Sequence, residues 1–110
     1  MIYIKPPAIR ATYKSRMTNV LFISCAFSRP ERTYDRMASA IETLGSACVE
    51  VQFGLWHVKS GQTAAEIRDR LKPALDVNDQ LFVIDASNCR TAWINLNKEA
   101  SGKLRDLGLQ

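Results

Sequence analysis

The sequence has no long apolar run, no clustered cysteines and a single histidine. Its longest unbroken apolar stretches, such as residues 81–84, fall far short of the ~20 residues that a membrane-crossing helix needs. The first residues hold no extended apolar segment of the kind that directs secretion. The three cysteines, Cys25, Cys48 and Cys89, show neither CxxC nor Cys/His ligand spacing, so no local metal site is encoded. An odd cysteine count without a secretion signal points to a reducing, cytoplasmic setting. P-loop, GxGxxG, HExxH and GxSxG patterns are absent, which leaves nucleotide-dependent and familiar hydrolase chemistry without support.

What is there suits one globular domain: 110 residues, 46% of them hydrophobic and 24% charged. The net charge is +4, and its distribution matters more than its size. Lys5, Arg10, Lys14 and Arg16 stand in the first sixteen residues with no acid beside them; the rest of the chain has eleven basic and eleven acidic residues. Residues 1–17 therefore read as a basic, disordered N-terminal arm able to touch phosphate non-specifically. Met17-Thr18-Asn19 also reads as a second possible start.

Residues 19–27 (NVLFISCAF) form a nearly continuous apolar run, the signature of a strand buried on both faces. Ser28-Arg29-Pro30-Glu31 fits a capping box, followed by Tyr34, Met37, Ala38, Ile41 and Leu44 on one helical arc that Gly45 ends. Residues 47–53 and 55–59 alternate as half-buried strands around a turn at Gly54. Thr63-Ala64-Ala65-Glu66 is a second capping box, and Pro73 should tighten or end its helix. Residues 80–86 (QLFVIDA) read as another buried strand. The order strand, helix, strand, strand, helix, strand predicts an α+β, ferredoxin-like βαββαβ sandwich over residues 18–96. A flavodoxin-like sheet is excluded, because the few residues between the second and third strands cannot make a parallel crossover.

Residues 91–96 (TAWINL) form a fifth apolar run, expected as an extra C-terminal strand. Such a strand pairs with its own sheet or with the edge of a second copy. The favoured expectation is a homodimer whose interface holds Trp93, Ile94 and Leu96. Residues 97–110 are expected as a tail or short helix, with Asn97 as N-cap and Gly102 weakening it.

Few residues suggest chemistry. His57 is expected to be an exposed or helix-facing histidine on the strand face opposite Trp56. Asp85 ends a strand and is expected to pair with an arginine, while Asp76 and Asp79 bracket a turn. Arg29, Arg32 and Arg36 form one stripe on the first helix and are the candidate nucleic-acid contacts. No catalytic or metal-binding set is assigned. Asp85, His57 and Ser24 are the weak candidates, with Mg²⁺ the cofactor only in a nuclease alternative. A third alternative is a structural or inhibitory protein-interaction domain that binds no nucleic acid.

The run Val20-Leu21-Phe22-Ile23-Ser24, then Tyr34, Trp56-His57-Val58, residues 65–71 (AEIRDRL), residues 76–84 (DVNDQLFVI) and Ala92-Trp93 together resemble small SinR-like proteins. These are similar in turn to the dimeric small subunit of the CRISPR spacer-acquisition complex. The resemblance spans residues 19–96. It implies a ferredoxin-like protomer and a dimer whose C-terminal strand crosses to the partner, in a prokaryotic or phage setting. Some members are described as metal-dependent nucleases with a carboxylate ending the first strand. Here that stretch is Ser24-Cys25-Ala26-Phe27, with no acid. The resemblance therefore implies a non-catalytic module that binds nucleic acid or a protein partner.

Overall fold

The structure, a computed structural model, describes residues 18–106. The expected basic arm, residues 1–17, lies outside the described residues. The elements are β1 (Asn19–Ala26), α1 (Pro30–Glu42), β2 (Ala47–Gln52), β3 (Leu55–Ser60), α2 (Ala64–Leu71), β4 (Gln80–Asp85) and α3 (Lys98–Asp106), with a 3-10 turn at Lys72–Ala74 between α2 and β4. The four strands form one antiparallel sheet in the order β2-β3-β1-β4. This is the α+β, ferredoxin-like arrangement that the element order predicts.

Register decides which side chains share a face. Leu21 stands opposite Val58 and Asp85, and Ile23 opposite Trp56 and Val83. These residues share the face that α1 and α2 cover. There Leu21, Ile23, Cys25, Trp56 and Val58 pack against Met37 and Ile41 of α1 and Ile67 and Leu71 of α2. Each fully buried aliphatic side chain of this kind contributes about 1.5–3 kcal/mol of transfer free energy. Successive strand residues alternate faces, so Phe22, Val49, Val51, Leu55, His57, Phe82 and Ile84 lie on the back.

Several local signals hold. Thr63 and Glu66 form the reciprocal capping box, each side chain accepting the other's backbone N–H. The Lys72–Ala74 turn follows α2 at Pro73. Gly54 sits at φ +81°, a conformation open to glycine, and its carbonyl accepts from the Cys25 N–H at 2.7 Å. Asn97 caps α3, its Oδ1 accepting from the Ala100 N–H at 2.7 Å.

Three expectations are corrected. Ser28 does not cap α1: Arg29 holds the N-cap position without a side-chain bond. Instead Ser28 donates both its N–H and its hydroxyl to Asp79 Oδ1, at 2.9 and 3.1 Å. A carboxylate from the loop before β4 thus accepts the Ser28 N–H that the expected box would give to Glu31. Second, the extra C-terminal strand does not form. Residues 89–97 run irregularly, turn at Asn95 (φ 62°), and lead into α3. Third, β4 is not buried on both faces. It is an edge strand whose outward-facing residues on the back of the sheet stay exposed.

Candidate interaction surfaces

The back of the sheet is covered on one half only. α3 lays Ala100 and Leu104 over Val49 and Val51, with Leu55, Trp93 and Leu96 packed around them. Trp93 and Leu96 are therefore used within their own protomer. Of the three residues expected at a dimer interface, Ile94 alone is fully presented, at 82% exposure. On the other half of the back face, Phe82 is 66% and Ile84 40% exposed. Ile84 stands directly opposite Phe22. Phe22 in turn lines a groove with residues 90–93, so the bare half runs without a break into the covered half.

β4 also forms the open edge of the sheet. Its pairing with β1 is regular, and its six residues (QLFVID) include no lysine, no proline and one charge, at the end. Edge strands without such protection are templates for strand pairing.

The weak catalytic candidates are not assembled. His57 is fully buried on the back face, its ring edge-on to Phe22 at 5.2 Å. This corrects the expectation of an exposed or helix-facing histidine. Neither ring nitrogen has a hydrogen-bond partner. Burial, then the Lys59 charge, lowers its pKa below the ordinary 6.5. Asp85 lies on the opposite face, beside Leu21. Its Oδ1 accepts from the Ser87 N–H at 3.0 Å and hydroxyl at 2.6 Å, so its partner is a serine rather than the expected arginine. Ser24 shares the back face with His57 but stands opposite Leu55 and Phe82. Among the described residues no group of three His, Cys, Asp or Glu side chains is placed to hold a metal ion.

The arginine stripe is real, and part of it is occupied. Arg32 and Arg36 both reach Asp76, at 3.5 and 3.4 Å, and Arg36 Nε donates to the Ala74 carbonyl at 3.1 Å. These contacts tie α1 to the loop before β4. They are about half exposed, and surface pairs of this kind are weak. Arg29 is exposed, without a side-chain partner among the described residues, and lines a shallow cleft with Ser28, Arg32 and Asn78. Asp76 and Asp79 stand at the same place. Burial opposes ionisation of Asp79, but the N–H groups of Asp76 and Ser28 and the Ser28 hydroxyl hold its carboxyl below the usual range.

One cluster has no counterpart in the sequence reading. Tyr34 stacks on Phe53 at 5.2 Å, with Phe27 and Trp56 against them. Glu50 accepts from the Tyr34 hydroxyl and from the Gly54 N–H. The bond to Glu50, then burial, pushes the Tyr34 pKa up to about 12. The only hint in sequence was the polar Glu50 between Val49 and Val51.

Cys25 is buried, Cys48 half-buried and Cys89 exposed, and all three are free thiols. Burial, with Asp79 and Glu50 nearby, pushes Cys25 to about 12, so it behaves as a small core residue.

Among the described residues no helix is long and apolar enough to cross a membrane. Fold and surface together define an α+β ferredoxin-like domain with one open, apolar sheet edge. No family model matches the chain, and neither the curated proteins nor the solved structures compared with it give a match.

Proposed function

We propose that the protein is a non-catalytic, homodimeric interaction module that joins its partner through β4. The observation that carries this reading is the unprotected edge of β4 with Phe82 and Ile84 exposed beside it. A second copy is the occupant with matching chemistry. An antiparallel pair of β4 strands is self-complementary about a two-fold axis, and each copy brings the same apolar residues to the other. The resemblance to the dimeric small subunit of the CRISPR spacer-acquisition complex supports a dimer on this fold. The separation of Ser24, His57 and Asp85 over two faces supports the non-catalytic reading.

The test is sedimentation equilibrium of the full chain and of Phe82→Lys. Loss of one apolar anchor at an interface centre weakens association by about 2 kcal/mol, roughly thirtyfold. A chain that is monomeric throughout the micromolar range, with Phe82→Lys indistinguishable from it, overturns the proposal.

Nucleic-acid contact is a second reading, favoured by the unpartnered Arg29 beside half-exposed Arg32 and Arg36. Against it stand the neutral charge balance of residues 17–110 and the carboxylates of Asp76 and Asp79 at the same place. Binding of short DNA or RNA that weakens steeply with salt and falls in Arg29→Ala supports it. Binding that is absent, or indifferent to Arg29, removes it.

A further inference from the structure

A groove of about 300 Å³ lies on the covered half of the back face, between β2–β3 and the chain that leads into α3. Phe22, Val51, Leu55 and Trp93 give it an apolar lining, and Gln52, Arg90 and Thr91 are its polar groups. Two of these polar groups are unusual. Thr91 Oγ1 is sealed from solvent and has no hydrogen-bond partner. Arg90, its neighbour in the chain, makes no ion pair or hydrogen bond among the described residues. The sealed Thr91 hydroxyl is closed to an occupant of the groove, whereas the exposed Arg90 is open to one.

We infer that this groove binds a small planar aromatic carboxylate. The ring lies on the apolar lining beside Trp93, and the carboxylate accepts from the exposed Arg90 guanidinium. The choice of ligand follows from the lining. Its one charged group is a guanidinium, whose fork matches a carboxylate, and no acidic residue lines the groove to favour a cation. The volume stands at the lower end of the ~300–1,000 Å³ range of small-molecule sites, which suits a body of one or two rings. This site is distinct from the β4 edge, since the groove is lined by β1, β2, β3, α3 and the residues before α3, and by none of β4.

The experiment titrates the full chain with 1-naphthoate and, separately, with 1-naphthalenemethanol, which has the same rings and no charge. The two indole N–H resonances report separately, because Trp56 lies in the core beneath α1 and α2. Saturable movement of the Trp93 resonance by naphthoate, with Trp56 unmoved, is expected. The alcohol should bind about tenfold more weakly, and Arg90→Ala should abolish the difference. Thr91→Val, which changes only a hydroxyl sealed from the groove, should leave naphthoate affinity unchanged. Circular dichroism of both variants shows that the fold is kept. Absence of saturable movement, or equal affinity for the two probes, overturns the assignment. A Trp93 resonance that follows protein concentration rather than probe concentration overturns it too, and gives the groove to a second copy. Dimerisation that persists while naphthoate fails leaves the β4 proposal standing.

Discussion

The two edges of the sheet are built in opposite ways. β2 carries a register shift between Glu50 and Gln52 and sits beneath α3. Its back-face residues Val49 and Val51 are buried, and Glu50 on its other face is bonded to Tyr34 and Gly54. β4 has regular pairing, α2 over its front face only, and two large apolar residues in water on its back face. A bulge, a charge and a covering element are the devices that close a sheet edge. β2 has the bulge, an inward carboxylate and a helix over its back face; β4 has regular pairing, a bare back face and a single charge at its end. This difference between the back faces of the two edge strands is what the proposed pairing through β4 rests on.

The largest effect is expected where the covered edge begins. A Cβ on Gly45 would overlap the Lys59 carbonyl, which is held in place by the Ser46 N–H at 3.0 Å. Gly45→Ala should destabilise the protein by about 3 kcal/mol, read by urea unfolding, while Gly61→Ala should stay within about 0.5 kcal/mol. Gly61 has open space where its Cβ would go, so it is the control for glycine replacement itself.

Leu104→Ala removes the anchor of α3 and should cost about 2–3 kcal/mol. It sharpens the comparison as well. With α3 loosened, Val49 and Val51 become as bare as Phe82 and Ile84, and self-association should strengthen at fixed concentration. Unchanged association in this variant would mean that α3 does not protect β2.

Asp79→Ala leaves both edges intact but removes the carboxylate that bonds Ser28 and Asp76 ahead of β4. The expected loss is about 1 kcal/mol, the usual net worth of a hydrogen bond. Because folding lowers the Asp79 pKa, its contribution is present above its ordinary value of 3.8 and disappears as pH falls through the folded value. Unfolding free energies of Asp79→Ala and the unaltered chain should therefore converge in acid.

The smallest effect belongs to His57. Folding lowers its pKa, so the unfolded chain takes up a proton first as the pH falls. Stability is fully kept above the ordinary value of 6.5 and declines below it, toward the folded value. Lys59 is the one charged residue among those that β1–β4 and the buried side of α3 bring to this face, so no carboxylate there offsets the imidazolium. His57→Phe should flatten the stability profile between pH 6.5 and the onset of carboxylate titration; an unchanged profile would mean that His57 does not control it.

Much of the fold was legible because local signals agreed. Apolar runs, two helical stripes, the Thr63–Glu66 box and Gly54 all pointed to one element order. The misreadings share a cause: each depended on what arrives from far along the chain. Ser28 looked like a cap because Asp79, 51 residues on, is invisible to local pattern. QLFVID read as a buried strand because its apolar run does not show that only Leu81 and Val83 meet the core while Phe82 and Ile84 stay uncovered. Trp93 looked like an edge-strand anchor because the turn at Asn95, which sends Leu96 back onto α3, carries no glycine. His57 was placed on the correct face, but its burial depends on the covering of the back face, which strand alternation alone does not reveal. The arginine stripe was read correctly as a stripe; its engagement with Asp76 required the fold.

The most direct test of the account is amide hydrogen exchange of the full chain as a function of protein concentration. The β4 amides that do not bond to β1 point at the open edge. The account predicts that their protection rises with concentration, while the outward amides of β2 do not change. Outward β4 amides that exchange at the rate of exposed loops at every concentration would contradict it.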